Sequence, residues 1–166
     1  PEDEFFWNRY RNHLINYERL DINSVNKLES ETLANLMNCL GNPNDVIKGK
    51  RLRRGLVIGD VQSGKTATYA GLICKAADAG YKVVILLTGI TESLRKQTQE
   101  RMEEGIIGFT IRVDENGRMQ KKLERVGVGL DNKEIKATAF TSYQDDFRGN
   151  VDNIVTTLNS HRSLVM

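Results

Sequence analysis

Gly59, Asp60, Val61, Gln62, Ser63, Gly64, Lys65 and Thr66 place two glycines around four residues and follow the second with lysine and threonine. Each fixed position answers a need of phosphate chemistry. Gly59 turns where a side chain would block the chain, and Gly64 lets the backbone approach phosphate oxygens closely. Amides from about Val61 to Ala67 would face inward, and a helix starting there would turn its positive end toward an anion. Lys65 is placed to neutralise β- and γ-phosphate oxygens. Thr66 offers a hydroxyl to Mg²⁺, which otherwise keeps waters and phosphates as ligands. The expected ligands are therefore ATP or GTP with Mg²⁺, and the expected catalytic pair is Lys65 and Thr66.

Such a loop is expected between a strand and a helix. The residues "LVI" ending at Ile58 read as a short buried strand, and Thr66 to Ala79 as a helix that Gly80 terminates. "YKVVILLT" reads as a second strand with both faces apolar, as an interior parallel strand requires. "TESLRKQTQERMEEG" then reads as an amphipathic helix ending at Gly105. Strand, helix, strand, helix in close succession predicts an α/β fold, a parallel sheet with crossover helices.

Ahead of the loop the pattern is helical. Phe6, Tyr10, Leu14 and Tyr17 recur at spacings of three and four. A second helix, capped by Asn23 or Ser24, would turn Val25, Leu28, Leu33, Leu36 and Leu40 inward until Gly41 and Pro43 stop it. Lys48, Lys50, Arg51, Arg53 and Arg54 make a basic connector, either a guide for a phosphate backbone or a solvated linker. The expected division is a helical segment over 1–45 and a nucleotide-binding domain over 46–166. Beyond Gly108, "FTIRV" and "KEIKATAF" suggest strands, "DENG" a turn, and Asn150 to Leu158 a helix.

The totals narrow the function classes. With 24 basic and 22 acidic residues in 166, the net charge is +2, so no overall field demands a nucleic-acid or membrane partner. A hydrophobic share of 39% and a mean hydropathy of −0.45 suit a globular chain with a core. The longest apolar run, "VVILL", is too short to cross a bilayer. No leader is evident in the acidic and aromatic first ten residues, so a cytoplasmic location is expected. Cys39 and Cys74 read as two buried free thiols. His13 and His161 read as surface residues without ligand partners. The opening on Pro1 and the closing apolar "RSLVM" suggest a fragment of something longer.

"FFWNRYRNHL", the stretch from Arg53 to Phe109 and "FTSYQDDF" together resemble the amino-terminal part of the Z-one domain proteins. That family has an ascribed endonuclease role and is similar to superfamily-two helicase-like ATPases. The resemblance implies a RecA-like, ATP-hydrolysing domain in a bacterial DNA-processing or phage-defence protein. DNA would be a partner, as would a nuclease or methyltransferase. It carries nucleotide roles to Gly59, Gln62, Ser63, Gly64, Lys65 and Thr66. Strand contacts would fall to Thr88, Arg95 and Gln97, near the carboxyl end of the second strand and on the helix after it.

Two departures limit the expected activity. The family's acidic motif for metal and water is absent: Asp145 and Asp146 follow "AFTSYQ", which is no run of strand hydrophobics. Turnover by this chain alone should therefore be slow. No Asp…Glu-x-Lys cluster supports nuclease chemistry. GTP is disfavoured because "NKEI" at Asn132 to Ile135 ends in isoleucine where guanine recognition needs aspartate. A small-molecule kinase with "RKQTQER" as its lid, and a non-catalytic nucleotide switch or scaffold, stay open as alternatives.

Overall fold

A computed structural model describes residues 4–44, 53–58, 64–88, 91–113, 115–123, 136–141, 155, 159 and 163–165. The chain forms two compact units, Pro1–Tyr81 and Lys82–Met166.

The first unit is helical. Helix α1 spans Phe5–Asn16, α2 spans Ile22–Lys27, α3 spans Ala34–Leu40 and α4 spans Lys65–Asp78. Helices α2 and α3 are joined without a break by a wider π-helical turn, Leu28–Leu33. Asp21 starts this long helix, its carboxylate accepting the Ser24 amide at 2.9 Å. Gly41 ends it at φ +75°, and Arg53 reaches back to donate from Nη1 to the Cys39 carbonyl at 3.0 Å. A cation there satisfies a last-turn acceptor and suits the negative helix end.

Small residues let α4 come close to its neighbours. Ala67, Ala70, Gly71 and Cys74 recur at helical spacing and are buried. They meet a core of Phe6, Trp7, Tyr10, Leu14, Val25 and Leu33. The carboxyl end of α4 closes with two crossed bonds, Tyr81 N–H to the Ala76 carbonyl and Gly80 N–H to that of Ala77, with Gly80 at φ +102°. Tyr81 Oη then donates to the carbonyls of Leu40 and Gly41 at 3.1 and 3.2 Å, tying this end to the end of α3.

In the second unit, α5 spans Glu92–Met102 and runs into a π-helical turn, Glu103–Ile107, ended by Gly108 at φ +86°. The expected stop at Gly105 therefore falls inside the helix, three residues early. Strands β1 (Phe109–Val113) and β2 (Met119–Leu123) pair antiparallel, while β3 (Lys136–Thr138) and β4 (Ser163–Val165) make a short parallel pair. Met102, Ile106, Ile107 and Ala137 are buried.

Among the described residues the expected RecA-like parallel sheet is not formed. The described residues are mostly helical. Neither segment read as its strands belongs to a ladder: 53–58 is irregular, and 82–88 holds a single isolated bridge at Val83. Leu56, Ile58, Ile85 and Leu87 are 85%, 87%, 79% and 94% exposed. An interior strand is made by neighbours on both edges and helices on both faces. A run of apolar residues without those neighbours stays outside any sheet, whatever its β propensity.

Other expectations on side chains also change. Tyr17 is half exposed rather than on the buried face of α1, and Trp7 takes a core place instead. Cys39 is exposed, and only Cys74 is a buried thiol. His13 is not a plain surface residue: its ring stacks between Tyr10 and Tyr17, and Nε2 lies 3.1 Å from Glu18 Oε1. His161, the acidic pair Asp145 and Asp146, "NKEI", and Lys48, Lys50 and Arg51 lie outside the described residues.

Candidate functional site: the head of helix α4

Of the proposed phosphate loop, Gly59, Asp60, Val61, Gln62 and Ser63 lie outside the described residues, and Gly64 onward is seen. Gly64 has φ +74° and ψ +25°, a left-handed conformation that side chains disfavour. Among the described residues, chain neighbours aside, no atom lies within 4 Å of the place a Cβ would occupy. The helix begins on the next residue.

The first turn of α4 leaves amides without intrahelical acceptors. Its cap residue, Gly64, brings no side chain to satisfy them. The contrast with α2, whose head is closed by Asp21, is plain. The first acceptor inside the helix is the Gly64 carbonyl, which takes the Thr68 amide at 3.1 Å. Lys65 is exposed at the first helical position, Thr66 is half-buried at the second, and Ala67 is buried against the core at the third. Ala67 thus anchors the turn while Lys65 faces solvent. These residues fit a polyanion and the single hydroxyl that Mg²⁺ takes from such a loop.

The residues expected to touch a nucleic-acid strand are placed differently from one another. Thr88 and Gln97 are exposed. Arg95 is committed within its own helix: Nε and Nη2 donate to the two Glu92 oxygens at 3.0 and 2.9 Å. Lys96 Nζ lies 3.5 Å from the same carboxylate. The Arg95 hydrogen bonds, aided by the charges of Arg95 and Lys96, hold Glu92 down to about 2. A phosphate approaching Arg95 would meet the repulsion of the Glu92 carboxylate beside it.

The far end of α4 holds residues that sequence reading passed over. Lys75 Nζ donates to both Glu4 oxygens at 2.9 and 2.8 Å and to Glu29 Oε1 at 2.9 Å, and lies 5.2 Å from the Trp7 ring centroid. Asp78 accepts amides from α1. One signal was available: an acid in the last turn of a helix opposes its dipole, and so asks for another role. The second unit hides a similar group. Gln99 Nε2 donates to Glu103 Oε1 at 2.9 Å and to the Thr141 carbonyl at 3.0 Å, while Thr141 Oγ1 donates to Gln99 Oε1 at 2.6 Å. Gln99 stood in a charged run, where nothing marked it as buried.

No protein-family model matches the chain, and no curated protein and no solved structure matches it either.

Proposed function

We propose that the chain binds ATP with Mg²⁺ through residues 59–67 and is the nucleotide-binding part of a DNA-processing protein. The observation that carries this reading is the head of α4. A left-handed Gly64 leads into a helix without a capping side chain, with Lys65 exposed on its first residue. The spacing from Gly59 to Thr66 supports it independently.

The residues have separate tasks. Gly64 lets the main chain lie against phosphate oxygens, and the following amides donate to them. The Lys65 ammonium offsets charge on the β- and γ-phosphates. The Thr66 hydroxyl would be the protein ligand of Mg²⁺. That ion, when bound, neutralises phosphate oxygens and favours transfer of the γ-phosphoryl group. Orienting water needs a further polar group, and the residues assigned here supply none, so turnover by this chain should be slow.

The DNA part of the proposal rests on the resemblance to the Z-one domain proteins, with Thr88 and Gln97 as contacts and Arg95 available on release from Glu92. A cytoplasmic location belongs to the same proposal; among the described residues no helix is long and apolar enough to cross a membrane. The test is anisotropy of labelled single- and double-stranded DNA titrated with the chain, with and without Mg-ATP. Binding that changes with nucleotide supports the reading. A flat response on both DNAs removes the DNA part and leaves a nucleotide switch or scaffold.

A further inference from the structure

Strands β1 and β2 pair in a register that sorts their residues into two faces. Ladder partners share a face, and the faces alternate along each strand. Phe109, Ile111, Val113, Met119, Lys121 and Leu123 fall on the first face, five of the six apolar. Thr110, Arg112, Gln120 and Lys122 fall on the second. A ribbon of two strands is marginal in water and gains by resting an apolar face on neighbouring structure. The first face suits that role, which leaves the second for solvent or a partner.

The second face is selective in composition. All four of its residues are types that donate hydrogen bonds to phosphate oxygens, and none is acidic or apolar. Arg112 and Lys122 are diagonal neighbours across the ladder, about 7–8 Å apart. Together the two strands carry Arg112, Lys121 and Lys122 and no acid. Of the chain's 24 basic and 22 acidic residues, taking away these three leaves 21 against 22. The strands are thus positive while the remainder is slightly negative. The hairpin's acids, Asp114 and Glu115, stand in the connection between the strands instead.

We propose that the second face of the β1–β2 hairpin binds a DNA phosphate backbone. Arg112 and Lys122 are its charge contacts, and Thr110 and Gln120 its neutral donors. The inference rests on the DNA reading above and gives that reading a contact outside α5. Backbone contacts of this kind position a strand without reading its sequence. A lipid surface would claim the apolar face, which the ribbon needs for its own packing.

The test is the salt dependence of duplex DNA binding by the intact chain, read by anisotropy. Each phosphate neutralised contributes about 0.9 to the steepness of log affinity against log salt. Arg112→Gln and Lys122→Gln should each lower that steepness by about 1, and the double variant by about 2. The single variants stand in where the double one does not fold. Lys121→Gln removes an equal charge one residue away, on the other face, and should change the steepness far less. Native steepness in the variants at 112 and 122 overturns the assignment and leaves the DNA reading standing. So does an equal loss from Lys121→Gln and Lys122→Gln, since the face would then not matter. Binding to phosphatidylserine vesicles with none to duplex DNA gives the hairpin to a membrane and also overturns it. A native chain that binds neither removes the DNA reading, and the assignment with it.

Discussion

Gly71 lies so close to Leu33 that a Cβ on the glycine would stand 2.9 Å from Leu33 Cδ1 and 3.1 Å from Trp7 Cζ3. Neither neighbour has room to give way, since Leu33 and Trp7 are both fully buried. Gly71→Ala should therefore destabilise the chain even though alanine favours a helix. Overpacking costs about 1–3 kcal/mol and helix propensity returns about 1, leaving a net loss of up to about 2 kcal/mol. A lower melting temperature would agree; a higher one would show that α1 and α4 are further apart than described.

Lys75 is bonded to both Glu4 and Glu29. Lys75→Met keeps the stem and removes the charge, leaving two carboxylates side by side. The expected loss is about 1–3 kcal/mol by denaturant unfolding. Burial pulls the Lys75 ammonium down, but bonds and charges of Glu4 and Glu29 raise it above its ordinary 10.5 overall. Its contribution is thus complete below pH 10.5 and fades as pH rises through the higher folded value. Lys75→Met should lack that alkaline decline.

The two thiols should differ sharply toward an alkylating reagent. Burial, then the charge of Asp78, pushes Cys74 well above its ordinary range, whereas Cys39 is exposed. Mass spectrometry after brief iodoacetamide treatment at pH 8 should show one label, on Cys39, in the native chain and two after denaturation. Rapid native labelling of Cys74 would contradict the packing of α4.

Gln99→Leu should cost about 1–3 kcal/mol because it removes the bonds that join α5 to Thr141. Thr141→Val should cost less, since the Gln99 bond to the Thr141 carbonyl remains. Equal losses from the two variants would place the weight on the hydroxyl instead.

The helices were legible from the sequence because they are local, and α4 follows from its apolar spacing and Gly80. Their ends were less so, since the second helix is capped by Asp21 rather than Asn23 or Ser24 and the helix of α5 runs past Gly105. The wide turn at Leu28–Leu33 was not legible, since one extra residue per turn leaves no composition mark. It shifts the helix face, so that Val25 and Leu33 are buried but Leu36 and Leu40 only partly. The sheet failed for a different reason. Leu56–Ile58 and Val83–Leu87 have strand-like residues, but a strand also needs hydrogen-bonding partners elsewhere in the chain, which composition does not show. Asp78, Lys75 and Gln99 were missed alike, because each acts across tens of residues. At the site, Gly64 was read as the glycine that lets the backbone approach phosphate oxygens. Its left-handed φ is a separate reason for glycine there, which the spacing alone did not show.

The central claim is tested most directly by titrating the native chain and Lys65→Ala with Mg-ATP in a calorimeter. Lys65 is exposed, so the variant should unfold like the native chain. The account predicts saturable binding by the native chain, weakened about tenfold or more in the variant, about 1.4 kcal/mol for each factor of ten. No heat of binding in the native chain, or equal affinity in an equally stable variant, would contradict it.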